Sequence, residues 1–145
     1  MTEFDIQKML FDKFKELNDF SGINFLDIDE NGNYKNVHFP NILFNAPDSK
    51  RYFEITFKSN EPNDVALMEK SQSRITGVLY VDIITPQDAG EDESENIYKW
   101  ITRLFNNADM DYIDIMKVYI SNKGNEADHY RLLVAIEWTA DIDKE

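Results

Sequence analysis

The chain has 145 residues, 42% hydrophobic and 13% aromatic, with no cysteine and a formal net charge of −13 from 28 acidic and 15 basic side chains. This length suits a single domain over residues 1–145 and buries roughly 68–70% of the unfolded surface, enough for a core without staples. The composition excludes a disulfide framework and thiolate chemistry, and scattered bases on so acidic a chain argue against sequence-specific nucleic-acid binding.

Thr2 with Asp5 is the outline of a capping box, and Ile6, Met9, Leu10, Phe14 and Leu17 then recur at helical spacing. One amphipathic helix is expected from Glu3 to about Phe20, stopped by Ser21-Gly22. The opening MTEFDIQKML has no basic stretch leading into a long apolar run, so no signal peptide is expected. No apolar run approaches a membrane span either, and a soluble cytosolic protein is the expectation.

Asp27 to Tyr34 reads DIDENGNY and opens like an EF-hand calcium loop, with Asp27, Asp29, Asn31 and Gly32 in sequence. Such a loop needs a bidentate Glu at its twelfth position, which here is His38, and it needs helices on both sides. The flanks, Ile23–Ile28 and Tyr34–Phe39, are strand-like, and Asn31-Gly32 and its neighbours are turn formers, so a β-hairpin is expected rather than a calcium site. Pro40 ends the ladder, and an irregular crossing with a turn at Pro47-Asp48 follows.

RYFEITFK, Arg51 to Lys58, alternates with Phe53, Ile55 and Phe57 on one face, as a half-buried strand does. RITGVLYVDIITP places Leu79, Val81 and Ile83 on one face and Val78, Tyr80 and Ile84 on the other, so a central strand is expected. Between them Ser59 to Ser73 is long for a connection. It combines both signs of charge with an apolar cluster, and two fates are open to it: folding onto the core, or contact with a partner. Glu61, Asp64, Val65, Leu67 and Met68, with Arg74 beyond them, are the candidate interaction residues.

Asp92 with Glu95 outlines a second capping box, and the acidic run from Asp88 to Glu95 suits a helix N-terminus. Ile97, Ile101, Leu104 and Phe105 are its buried stripe, with Trp100 at the edge. Two strands close the chain, Tyr112–Ser121 and Tyr130–Thr139, joined by a loop SNKGNEAD; Trp138 falls in phase with Leu132, Val134 and Ile136 and is expected in the core. The expected fold is α+β: a mostly antiparallel sheet of four to five strands, two helices on one face, and an extra N-terminal hairpin.

His38 and His129, the two histidines, form no helical metal pair, and neither a nucleophile elbow nor a phosphate loop occurs. No catalytic site, cofactor site or metal site is expected.

Three segments in order carry a family resemblance: FPNILFNAP (Phe39–Pro47), RYFEITF (Arg51–Phe57) and SRITGVLYVDIITPQDAGED (Ser73–Asp92), followed by a helix and a closing VAIEWTAD strand. Over Val37–Asp141 the chain resembles the tail-terminator, or tail-completion, proteins of long-tailed bacteriophages, with the lambda-type terminator fold. The resemblance implies a non-enzymatic virion protein: a ring, typically hexameric, that caps the tail tube, ends its polymerisation and meets a head-completion or neck protein. It implies assembly in the host cytoplasm, residence in the virion at the head-tail junction, and no membrane partner. A ring of such acidic chains repels passing DNA, and screening by divalent cations or salt is expected to help it assemble. A head-tail joining protein is the alternative within the same class; an acidic DNA-mimic inhibitor is the alternative outside it.

Overall fold

The computed structural model describes residues 2–40, 42–47, 50–60, 72–87 and 90–143. Its elements are α1 (Glu3–Phe14), α2 (Leu17–Ser21), β1 (Val37–His38), β2 (Tyr52–Ser59), β3 (Gln72–Pro86), α3 (Gly90–Asn106), β4 (Ile113–Glu126) and β5 (His129–Asp143). The sheet runs β1-β2-β3-β5-β4, with β1 parallel to β2 and every other pair antiparallel. β3 is therefore the central strand, as its two apolar faces require.

The helices lie on one face of this sheet, and alternation in the strands supplies that face. Phe53, Ile55, Leu79, Val81, Ile83, Leu132, Val134, Ile136 and Trp138 are buried there against Ile6, Leu10 and Phe14 of α1 and Ile97, Ile101 and Phe105 of α3. Phe14 meets Phe53 edge to face at 5.7 Å, so α1 sits over β2. Trp138 is 1% exposed and stacks on Phe57 at 5.4 Å. It also dictates its neighbour: a Cβ on Gly77 would overlap the Trp138 ring and the Lys58 carbonyl oxygen, so only glycine fits under the indole.

Several local expectations are corrected. The first helix is two: the Glu16 N–H bonds Lys13 O rather than the carbonyl one further back, a 3₁₀-type closure, and the chain restarts as α2 at Leu17. The new direction lets the Asn18 amide clamp Leu26 backbone from both sides, accepting from its N–H and donating to its carbonyl, each at 2.8 Å. The hairpin at DIDENGNY shrinks to a single bridge, Ile28–Tyr34. Two backbone bonds flank it, Asp29 N–H to Asn33 O at 2.9 Å and Lys35 N–H to Asp27 O at 2.7 Å, and beyond them side chains replace the ladder. Asn36, 5% exposed, accepts from Asp27 N–H and donates to Phe25 O, while Arg51 donates to Phe25 O and Asn24 O. With those backbone groups occupied, the returning strand shortens to β1 and pairs in parallel with β2 instead.

The second helix begins at Gly90, so Asp92 lies inside its first turn and is not its cap. The last hairpin is longer than expected: SNKGNE continues β4, and the turn is confined to Ala127-Asp128, with Ala127 in the left-handed region at φ 53°. The long connection also narrows, because β2 keeps Ser59 and β3 already starts at Gln72.

Candidate assembly surface

DIDENGNY bears first on a metal site. Asp29 Oδ1 accepts from the N–H groups of Asn31 and Asn33, both at 2.9 Å, and Gly32 takes φ 84°. The Asn33 N–H holds the Asp29 carboxyl below its usual range. This carboxylate is committed to an Asx turn. Among the described residues no group of three or more His, Asp or Glu side chains is placed to hold a metal ion.

The face of the sheet opposite the helices is built differently from the core. Strand register puts Lys58, Arg74, Lys117 and Arg131 on it with Glu54, Asp82, Asp114, Glu126, Glu137 and Asp141. Arg131 is the hub. Its guanidinium donates to Asp82 Oδ2 at 2.9 and 3.2 Å, to Glu126 at 2.7 Å and to Glu54 at 3.2 Å, and Glu54 reaches His38 Nδ1 at 3.4 Å. Burial works against the Arg131 charge, but its bonds to Glu126 and Asp82 outweigh that and raise its pKa. Burial pushes the Asp82 carboxyl up, opposed by Arg131, and Asp82 Oδ1 is buried with no hydrogen-bond partner among the described residues.

Further along the same face Tyr80 and Tyr119 sit on either side of Ala135, which is fully buried between them. Lys58 lies 6.0 Å from the Tyr80 ring and Lys117 lies 4.9 Å from the Tyr119 ring, and the Tyr119 hydroxyl donates to Glu137 at 3.0 Å. Arg74 and Arg131 thus bind Asp114, Asp141, Asp82, Glu126 and Glu54, and four bases offset most of the six acids on this face.

The two edges of the sheet also differ. β4 presents a long outer edge, but its ladder slips between Ile115 and Lys117 and again between Ile120 and Asn122. Bulges of this kind, with Lys117 and Lys123 nearby, blunt an edge against simple strand addition. Met116, the extra residue of the first bulge, is 64% exposed, and Tyr112, at φ 68°, is 68% exposed. At the other edge the described part of the uncharged run Phe39–Pro47 passes beside β1. Phe44 pins it, stacked on His38 at 5.0 Å and 5°, while Ile42 is 59% and Leu43 100% exposed. An open groove of about 1010 Å³ lies next to it, with Leu26, Ile28, Tyr34, Phe44, Lys35 and Lys50 among its walls.

Of the residues expected to make contacts, Glu61, Asp64, Val65, Leu67 and Met68 lie outside the described residues. Arg74 is described: it ties three strands together through Asp141 and, at 3.1 Å, Asp114. Sequence reasoning missed Arg131 as a hub, because its partners come from three other segments. It missed Ile42, Leu43, Tyr112 and Met116 as exposed groups, although the absence of charge from Phe39 to Pro47 was a visible signal.

A family model described as phage tail terminator protein matches residues 30–138, which hold β1 to β4, α3 and most of β5. The chain belongs to that family. It is accordingly a structural component of a phage tail. No curated protein matches the chain. One solved structure is similar at 16% identity, with a TM-score of 0.59, covering 96% of this chain and 98% of its own, and it shows a shared fold. Among the described residues no helix of this terminator-family chain is long and apolar enough to cross a membrane.

Proposed function

We propose that copies of this chain close into a ring, six by the resemblance above, on the end of the tail tube. The ring stops tube polymerisation and offers its other side to a head-completion or neck protein. The observation that carries this reading is the terminator-family match across residues 30–138. The sheet face supports it, because its four bases offset most of its six acids and so lower the cost of packing a chain of net charge −13 beside other tail components. The excess acidity elsewhere would keep the ring from gripping DNA in transit. Divalent cations would favour closure by screening like charges, over roughly 8–10 Å at physiological ionic strength.

The connection through Glu61, Asp64, Val65, Leu67 and Met68 supplies contacts to a neighbour or to the tube in this reading, with Arg74 at its base. Replacing Leu67 and Met68 by serine should leave folding intact and weaken capping by roughly thirtyfold in affinity, the loss expected for truncated buried anchors. The decisive experiment measures ring fraction by native mass spectrometry with and without magnesium, and tail length in particles made without the protein. Closed rings together with overlong tails are expected. Rings with normal-length tails but unjoined heads would move the chain to a neck role, and a monomer under every condition would end the ring reading.

A further inference from the structure

We infer that the contact between neighbouring copies runs edge to edge: the exposed Ile42-Leu43 knob beside β1 of one copy seats against Tyr112 and Met116 on the β4 edge of the next. The inference rests on the ring reading and specifies which surfaces meet.

The first observation is position. β1 and β4 are the two outer strands of a five-stranded sheet, so the two patches are four strand spacings apart, roughly 19 Å. They cannot meet within one copy. A contact between two different patches on opposite sides of a molecule is heterologous, the type that generates rings when the rotation closes.

Exposure is the second. Leu43 at 100%, Tyr112 at 68%, Met116 at 64% and Ile42 at 59% are among the most exposed large apolar side chains of the described residues, and they fall on these two edges. Tyr112 stands out at a left-handed φ of 68°, a conformation a bulky residue rarely adopts. Met116 is set out by a bulge that disrupts the ladder, so the β4 edge is shaped for side-chain contact and not for strand addition.

Charge is the third. Around Tyr112 the chain reads Asp109, Asp111 and Asp114. Beside the knob, Phe39–Pro47 has no charged residue, and the groove wall carries Lys35, Lys50 and Arg51 against Asp27 and Glu93, with Arg51 and Glu93 paired to each other. In a chain this acidic a neutral-to-basic patch is scarce, and it lies on the edge opposite the Asp109 and Asp111 end of β4 beside Tyr112. The partner that matches each edge is therefore a second copy of this chain.

The natural absence of cysteine makes the test direct. Leu43→Cys and Met116→Cys are introduced singly and together, far-UV circular dichroism checks the fold, and assembled protein is treated with a short bis-maleimide linker. The double variant should give a ladder of covalent multimers ending at the ring. A mixture of the two single variants should stop at dimers, and each single variant alone should stay uncrosslinked. Phe4→Cys with Met116→Cys, which pairs the β4 edge with an exposed residue of α1, should give no ladder. The inference is overturned if the double variant assembles into rings without crosslinking, or if a single variant dimerises by itself, which would mean like edges meet. A parent protein that never assembles overturns the ring reading instead, and this inference with it.

Discussion

The two faces of the sheet solve the same problem with opposite means. On the helix side, Trp138, Phe53, Leu79 and Ile136 are removed from water by α1 and α3, and stability there comes from apolar burial and close packing. On the other side the strands hold Ala135 and Ile84 out of water with their own long neighbours, Tyr80, Tyr119 and Arg131, and tie the charges into a network. A packed face tolerates no change of volume, whereas a networked face tolerates change wherever each charge keeps a partner. In the proposed ring, the difference would suit a chain that folds by its packed face and presents the other.

The comparison is tested hardest at Trp138. Trp138→Ala should cost about 3–5 kcal/mol, since a ring stacked on Phe57 and nearly closed to solvent leaves a cavity that its neighbours fill poorly. Denaturant unfolding measures this, and a variant as stable as the parent would erase the distinction between the faces. Gly77→Ala comes next. The added methyl meets a backbone carbonyl and the indole, and overpacking of this kind costs about 1–3 kcal/mol.

On the networked face the largest loss should follow Arg131→Met. The variant keeps the stem but leaves Asp82 buried without its donor, at about 1–3 kcal/mol. Its pH dependence sharpens the contrast. Asp82 already has its pKa raised by burial, so the folded chain holds that proton more tightly than the unfolded chain. Its contribution to stability is therefore fully present in acid and is lost as pH rises from the unfolded value through the folded one. Without Arg131 that loss should extend to higher pH. Carbon-detected NMR of the Asp82 carboxyl and unfolding curves across the acid range check the sign; an Asp82 carboxyl titrating below its ordinary value in the parent would reverse it. Smallest of all, Lys117→Ala removes a cation lying over the Tyr119 ring at an exposed site and should cost about 0.5–1 kcal/mol. A thermal melt resolves that, and a loss as large as that at Trp138 would show that the open face is packed and not networked.

Amino-acid order alone determined the elements whose pattern is periodic. Alternation in Arg51–Lys58, the two apolar faces of Arg74–Pro86, the stripe Ile97–Phe105 and the phase of Trp138 each put an element in place, because burying one face of a strand or helix leaves a period of 2 or 3.6 in the sequence. The ordered motifs from Phe39 to Asp92 likewise carried the family. Tertiary structure decided what periodicity does not encode. The first helix broke at Glu16, and Asn18, Asn36 and Arg51 then bond backbone that would otherwise have extended a hairpin, while β1 joined β2 in parallel. Arg131 became a hub through Glu54 and Asp82, 77 and 49 residues away. Ile42, Leu43, Tyr112 and Met116 became candidates only when β1 and β4 proved to be the outer strands. The exposure of an apolar side chain is a property of what packs beside it, and no local pattern records that.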